Sequence, residues 1–247
     1  MNEIIKFFFG LDVHKEKISI AIAELGSAGA RHLGCIAHDL NALLKVLAKY
    51  GEAAHVRVVY EAGPTGFGLY RALRERGYNV QVIAPSLIPR RAADRIKNDR
   101  RDSLRLAELA RAGELKAIWV PDVEHEALRN LWRAREDAVD MRHKARQQLK
   151  AFLLRHGRRY DGKTSWTKMH ARWIADQRFE QAADQMALSE YQLAAQAAEE
   201  RVTRLSAALT QAIGGWRFEP VVAALRALRG IDTVSAIGLV AEIGDIG

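Results

Sequence analysis

Strand signals crowd the first half of this chain and vanish after Pro121, and that switch constrains the fold more than any other feature. Lys6 to Val13 is an apolar run ending in a charged cluster, as a central strand requires. Ile18, Ile20 and Ile22 alternate with small residues and predict a second strand. Gly26 to Ala30 reads as a turn, and Arg31 to Ala37 as a third strand. Short turns between them predict an antiparallel meander. Leu40 to Tyr50 has helical period, with Asp39 as its N-cap. His55 to Tyr60 is β-branched, Gly63-Pro64-Thr65-Gly66 breaks it, and Phe67 to Arg76 is helical. Asn79 to Ala84 predicts another strand, closed by Pro85. Beyond the basic loop Pro89 to Arg101, Asp102 to Ala112 predicts a helix. The order βββ-α-β-α-β-α gives a mixed sheet covered by helices, the strand order of an RNase H-like fold.

From Pro121 on the period becomes helical. Leu128, Leu131, Ala138, Ala145, Leu149 and Phe152 form one seam, interrupted by Arg135 and Arg142. Those two arginines either lay their stems along a partner helix or leave the seam open for phosphate. His156 to Thr164 reads as a hinge, Trp166 to Phe179 as a short helix, and Ala187 to Ile213 as a long alanine-rich one. Two long helices about a hinge suggest an antiparallel coiled-coil hairpin. Gly214-Gly215 ends it, and Val221 to Ile246 opens a further helical unit. The fold class is therefore α/β plus all-α. The divisions expected are residues 1–118 for the sheet domain, 119–213 for the basic helical region and 214–247 for the start of a third.

Charge sharpens this. The net charge is +8, yet residues 129–172 alone hold thirteen Lys/Arg against four Asp/Glu. The remainder is close to neutral, so the basic character belongs to one segment, as on a nucleic-acid-binding surface. Cys35 is the only cysteine, which excludes an intramolecular disulfide framework and a cysteine-based zinc site. No H-x-x-x-H pair supports a zinc hydrolase. No apolar run approaches the ~20 residues that span a bilayer, and no secretory signal precedes Asp12. A soluble cytoplasmic protein is the expectation.

Four carboxylates carry the chemistry. Asp12 ends the first strand inside an apolar run, where a charge is costly unless paired or bound to metal. Glu61 directly follows the strand ending at Tyr60. Asp99 and Asp102 lie three apart at a helix start and share one face. Three have a simpler reading: Asp102 as a helix cap, Asp99 as a partner of Arg100 or Arg101, Glu61 as a turn residue; taken singly, Asp12 is open. Taken together on this fold, all four can converge to hold the cations of two-metal phosphoryl chemistry. His14 reads as a structural residue and Lys15 as a phosphate contact or a surface lysine. Trp132, Trp166 and Trp173 are expected to pack in helix seams rather than stack on bases.

The segments Gly10-Leu11-Asp12-Val13-His14-Lys15, Tyr60-Glu61-Ala62-Gly63-Pro64-Thr65-Gly66 and Lys97-Asn98-Asp99-Arg100-Arg101-Asp102-Ser103 resemble the three acidic blocks of the DEDD-type insertion-sequence transposases. These are bridge-RNA-guided recombinases with a RuvC-like N-terminal domain. The usual third block has Thr where Asn98 stands and often Ala where Ser103 stands. The resemblance implies Asp12, Glu61, Asp99 and Asp102 as catalytic metal ligands, with Mg²⁺ or Mn²⁺ as cofactor. It implies DNA and a structured guide RNA as partners, and a helical region used for nucleic acid and for homo-oligomer contacts. The basic residues assigned to nucleic acid are Lys15, Arg90, Arg91, Lys97, Arg100, Arg101, Arg142, Lys144, Arg146, Lys150, Arg158 and Arg159. Leu228 to Asp245 is similar to the helix-hairpin-helix opening of the family's second domain, except that Asp232 stands where glycine is usual, which argues against phosphate binding there. The family's nucleophilic serine belongs beyond Gly247, and Ser235 does not match it. A truncated copy or fragment is therefore the expectation, binding metal and nucleic acid without complete recombination. Three other classes compete. An actin-like kinase is disfavoured because His14-Lys15 replaces its small phosphate-gripping residues and no P-loop lysine follows Gly63 to Gly68. A stand-alone nuclease resembling Holliday-junction resolvases and a non-catalytic binding remnant remain open.

Overall fold

The computed structural model describes residues 4–26, 29–89 and 98–244. They belong to two compact units, Met1–Val120 and Pro121–Gly247. In the first, strands β1 (Phe7–Val13), β2 (Lys17–Glu24) and β3 (Arg31–Ala37) form the expected antiparallel meander. Helix α1 (Leu40–Leu47) follows, its N-terminus capped by Asp39, whose carboxylate accepts from Ala42 N at 2.7 Å. Strand β4 (Val56–Glu61), helix α2 (Gly68–Arg74), strand β5 (Asn79–Ile83) and helix α3 (Asp99–Ala112) complete the unit. The sheet order is β3-β2-β1-β4-β5, with β4 parallel to both β1 and β5, an RNase H-like α/β arrangement.

Strand alternation sorts side chains onto two faces. Phe9, Leu11, Ile18, Ile20, Ile22, Val56, Val58 and Tyr60 point one way and pack with Leu43 and Leu47 of α1 and Leu73 of α2. Phe8, Ala21, Ala23 and Val59 point the other way, against Leu106, Ala107 and Ala110 of α3. Small residues on this second face let α3 lie close. A Cβ on Gly10 would sit 2.2 Å from Ser103 O and 2.4 Å from Ala107 N. The Ser103 hydroxyl, fully buried, meets that of Ser19 at 3.2 Å.

Two boundaries differ from expectation, and both bear on the site. Helix α3 begins at Asp99, not Asp102, because Asn98 takes the N-cap and accepts from Arg100 N at 3.0 Å. Asp102 is therefore a first-turn residue rather than the cap. Glu61 is the last residue of β4, paired with Ile83, rather than a turn residue after it.

The second unit is all helical: α4 (Val123–Arg155), α5 (Lys168–Ala175), α6 (Ala182–Ala212), α7 (Glu219–Arg226) and α8 (Thr233–Ile243). Helices α4 and α6 run antiparallel, since Arg135 reaches Ser206, Arg142 reaches Glu199 and His156 reaches Asp184. Their seam is filled by Ala145, Leu149, Phe152, Leu188 and Ala195 at one end and by Leu128 and Leu209 at the other. The segment read from sequence as one apolar run after Val221 is two helices, separated at Gly230, whose φ of 90° suits glycine. Asp232 caps α8 by accepting from Ser235 N at 2.7 Å, so its carboxylate is committed to that helix end. The backbone at Gly238 of α8 lies against the Trp132 ring, which gives Trp132 a packing role. Trp166 and Trp173 pack at the other end of the seam.

Two histidines in this unit are buried and held in the neutral form. His125 Nε2 donates to Ala241 O at 2.9 Å, and His170 Nδ1 accepts from Trp166 N at 3.0 Å. Burial pushes both below the ordinary imidazole range; for His170 the Lys150 ammonium adds to the effect. A depressed folded-state value means that the unfolded chain takes up these protons first. The stability they contribute is complete above about pH 6.5 and is lost as pH falls through the folded values. The melting temperature is thus expected to fall on going from pH 7 to pH 5, and His125→Gln to flatten that fall. A melting temperature constant over this window would contradict the assignment.

Candidate metal centre

The site lies where β1 meets α3. Residues at alternate positions of β1 share a face, so Asp12 points to the same side as Phe8 and Gly10, toward α3. Glu61 shares that side with Val59. The parallel pairing of β1 with β4 matches Leu11 to Tyr60, so Asp12 and Glu61 are the next residues on adjacent strands. On the other flank, Asp12 is paired with Ser19, the residue that meets Ser103 of α3. That contact seats the first turn of α3, and with it Asp99 and Asp102, beside the end of β1.

His14 Nε2 lies 3.0 Å from Asp12 Oδ2 and 3.5 Å from Asp99 Oδ1. The ligand atoms of these three residues all fall within 4.8 Å of one another. Asp99 Oδ2 takes the Lys17 ammonium at 2.6 Å. Lys17 holds the Asp99 carboxyl below its usual range, through this hydrogen bond above all, and Asp99 raises Lys17 in return. Asp99 is therefore ionised at neutral pH, with Lys17 on one oxygen and the other oxygen directed at His14. Among the described residues, Lys17 rather than Arg100 or Arg101 pairs with Asp99. Asp12, Glu61, Asp99 and Asp102 are all partly buried, and the structure draws Asp12 and Asp99 together around one imidazole nitrogen.

Two carboxylates separated by a ring nitrogen suit a divalent cation. Six-coordinate ions of the magnesium class hold ligands at about 2.1 Å, which sets neighbouring ligand atoms about 3 Å apart, close to the His14–Asp12 spacing. Glu61, at the end of β4 beside β1, and Asp102, in the first turn of α3, are not among the three residues whose ligand atoms cluster. Asp12, His14 and Asp99 thus fit the group that the fold implies.

The family model of the IS110-type DEDD transposases, described as a transposase, matches residues 9–157. This chain belongs to that family. A protein of Sinorhizobium fredii (strain NBRC 101917 / NGR234), described as putative transposase y4qE, is 45% identical over 245 residues. The match takes in 97% of this chain and 59% of that relative. The transposase for insertion sequence element IS1533 of Leptospira borgpetersenii is 32% identical over 243 residues, 97% of this chain and 70% of the relative. The chain thus spans about three fifths of the length of the first of these relatives. The family match takes in Asp12, Glu61, Asp99 and Asp102 together with all of α4.

The basic residues fall into groups. Lys15, Arg100 and Arg101 are exposed around the candidate centre, in the β1–β2 turn and the first turn of α3. Lys144, Lys150 and Arg159 are exposed in the helical unit. Arg142 and Arg146 are half-buried and share Glu199 of α6, so much of their charge is answered within the protein. Of the two seam readings, the pairing with Glu199 favours packing along the partner helix for Arg142. Arg158 donates to Arg178 O and covers the Phe179 ring. Arg90, Arg91 and Lys97 lie outside the described residues. Sequence reasoning missed Lys17 and gave His14 only a structural role. Their spacing from Asp12 was the available signal, because a tight turn after β1 returns residues 14 and 17 to the same strand end. No helix among the described residues is long and apolar enough to cross a membrane.

Proposed function

We propose that this chain carries the metal-dependent DNA-handling centre of an insertion-sequence transposase, with Asp12, Glu61, Asp99 and Asp102 as its acidic ligands. The observation that carries this reading is the approach of Asp12 and Asp99, from a strand and a helix 87 residues apart, to one point beside the end of β1. A divalent ion, Mg²⁺ or Mn²⁺, would supply Lewis-acid stabilisation of the charge that develops on a phosphoryl oxygen. Asp12 and Asp99 would hold it, with Glu61 and Asp102 beside them. Lys17 holds the Asp99 carboxyl below its usual range and occupies one of its oxygens, leaving the other toward His14. Lys15, Arg100 and Arg101 would draw the DNA backbone to the centre. Lys144, Lys150 and Arg159 offer a second cationic surface suited to the phosphates of a structured guide RNA. The paired α4 and α6 helices offer a surface for self-association. These assignments rest on family membership together with the position of each group.

The test is binding of a branched DNA in Mg²⁺ and in EDTA, followed by fluorescence anisotropy. Magnesium is expected to tighten binding by the chain about tenfold, equivalent to about 1.4 kcal/mol, and to have no effect on Asp12→Asn. Equal affinity with and without the ion would instead make this a metal-independent binding module. Magnesium-dependent nicking abolished by Asp12→Asn would favour the resolvase-like nuclease.

A further inference from the structure

His14 Nε2 lies within reach of both Asp12 and Asp99, at hydrogen-bond distance from the first and slightly farther from the second. Its main chain is clamped on both sides: the N–H donates to Lys17 O at 2.9 Å, and the carbonyl accepts from His38 Nδ1 at 2.7 Å. The turn therefore fixes the backbone from which the ring projects. Satisfying one N–H needs one acceptor, yet Nε2 is directed between two carboxylates, Asp12 Oδ2 at 3.0 Å and Asp99 Oδ1 at 3.5 Å. The side chain is 42% exposed, so an ion from solvent can reach it. Lys17 does not compete for the position, because it occupies Oδ2 of Asp99 and leaves Oδ1 facing the ring.

We propose that His14 is a direct nitrogen ligand of the ion held by Asp12 and Asp99, and that it biases the centre toward Mn²⁺ over Mg²⁺. The inference rests on the reading of Asp12 and Asp99 as a metal centre. Magnesium takes hard oxygen ligands and gives up its waters reluctantly. Imidazole is a softer ligand and favours transition metals, so replacing one oxygen of an all-carboxylate set by Nε2 raises the affinity for manganese relative to magnesium. An imidazole ligand carries no negative charge, so the cluster would hold one fewer than with a third carboxylate, which further weakens a purely ionic hold on magnesium.

Pulsed electron paramagnetic resonance of bound Mn²⁺ reads the ligand directly, on the whole chain with ¹⁵N-labelled histidine. Wild type is expected to show one directly bonded histidine nitrogen. That coupling is expected to vanish in His14→Gln and in His14→Asn, and competition titration is expected to show the Mn²⁺:Mg²⁺ affinity ratio falling roughly tenfold. Manganese that binds wild type without nitrogen coupling, yet is lost in Asp12→Asn, would overturn the role of His14 and leave the carboxylate centre standing. A coupling that persists in both His14 variants would likewise overturn it. Manganese binding unchanged in Asp12→Asn would overturn the centre itself.

Discussion

Gly10→Val is expected to lower the stability of the Met1–Val120 unit by about 3 kcal/mol or more and to disable the metal centre with it. The cause is space, not backbone conformation. Even a methyl group at this position would lie 2.2 Å from Ser103 O, 2.4 Å from Ala107 N and 2.9 Å from Leu106 Cβ. Two of these three atoms belong to helix backbone and cannot rotate aside. Helix α3 must therefore move away from β1, which breaks the contacts of Leu106, Ala107 and Ala110 with Phe8, Ala21 and Val59. A domain's total stability is about 5–15 kcal/mol, so a loss of this size consumes much of it. Moving α3 also withdraws Asp99 from Asp12. Urea unfolding followed by circular dichroism should give a much lower midpoint, with Mn²⁺ affinity reduced in whatever folded protein remains. An unfolding free energy within about 0.5 kcal/mol of wild type would mean that α3 does not rest on Gly10.

The sheet was legible because its signals are local. Strand period, the glycine-proline break after Glu61 and the Asp39 cap are written in consecutive residues, and the pairing of β1 with β2 and of β2 with β3 follows from short connections. Asp12 stood out as a charge in an apolar run. The turn after β1 was legible only in part: the spacing of His14 and Lys17 from Asp12 fits a tight turn, but nothing in His14-Lys15-Glu16-Lys17 says that they meet a helix that begins 82 residues after Lys17. The start of α3 was misjudged because Asn98, Asp99 and Asp102 are all competent caps, and only the main-chain geometry selects Asn98. The seam arginines posed the same difficulty. Arg142 breaks the apolar period of α4, and its partner Glu199 lies 57 residues away on another helix. Pairwise chemistry across long separations decides such positions, and spacing along one segment does not report it.

The second large effect concerns the carboxylates themselves. Asp12→Asn and Asp99→Asn preserve size and remove a negative charge and a strong oxygen donor. Each is expected to weaken Mn²⁺ binding by roughly a hundredfold, equivalent to about 2.7 kcal/mol. Asp99→Asn acts twice over, because it also leaves the Lys17 ammonium without its carboxylate and therefore repelling the incoming cation. Glu61→Gln and Asp102→Asn, at the adjoining positions, are expected to cost roughly tenfold each. The substitutions should leave thermal unfolding near wild type, since all four residues are partly exposed and none lies in the buried apolar clusters.

Calorimetric titration of Mn²⁺ into wild type, Asp12→Asn and Asp102→Asn tests convergence of the four carboxylates most directly. Saturable binding by wild type, nearly abolished in Asp12→Asn and weakened about tenfold in Asp102→Asn, is the predicted result. Identical isotherms for wild type and both variants would contradict a shared metal centre at the junction of β1, β4 and α3.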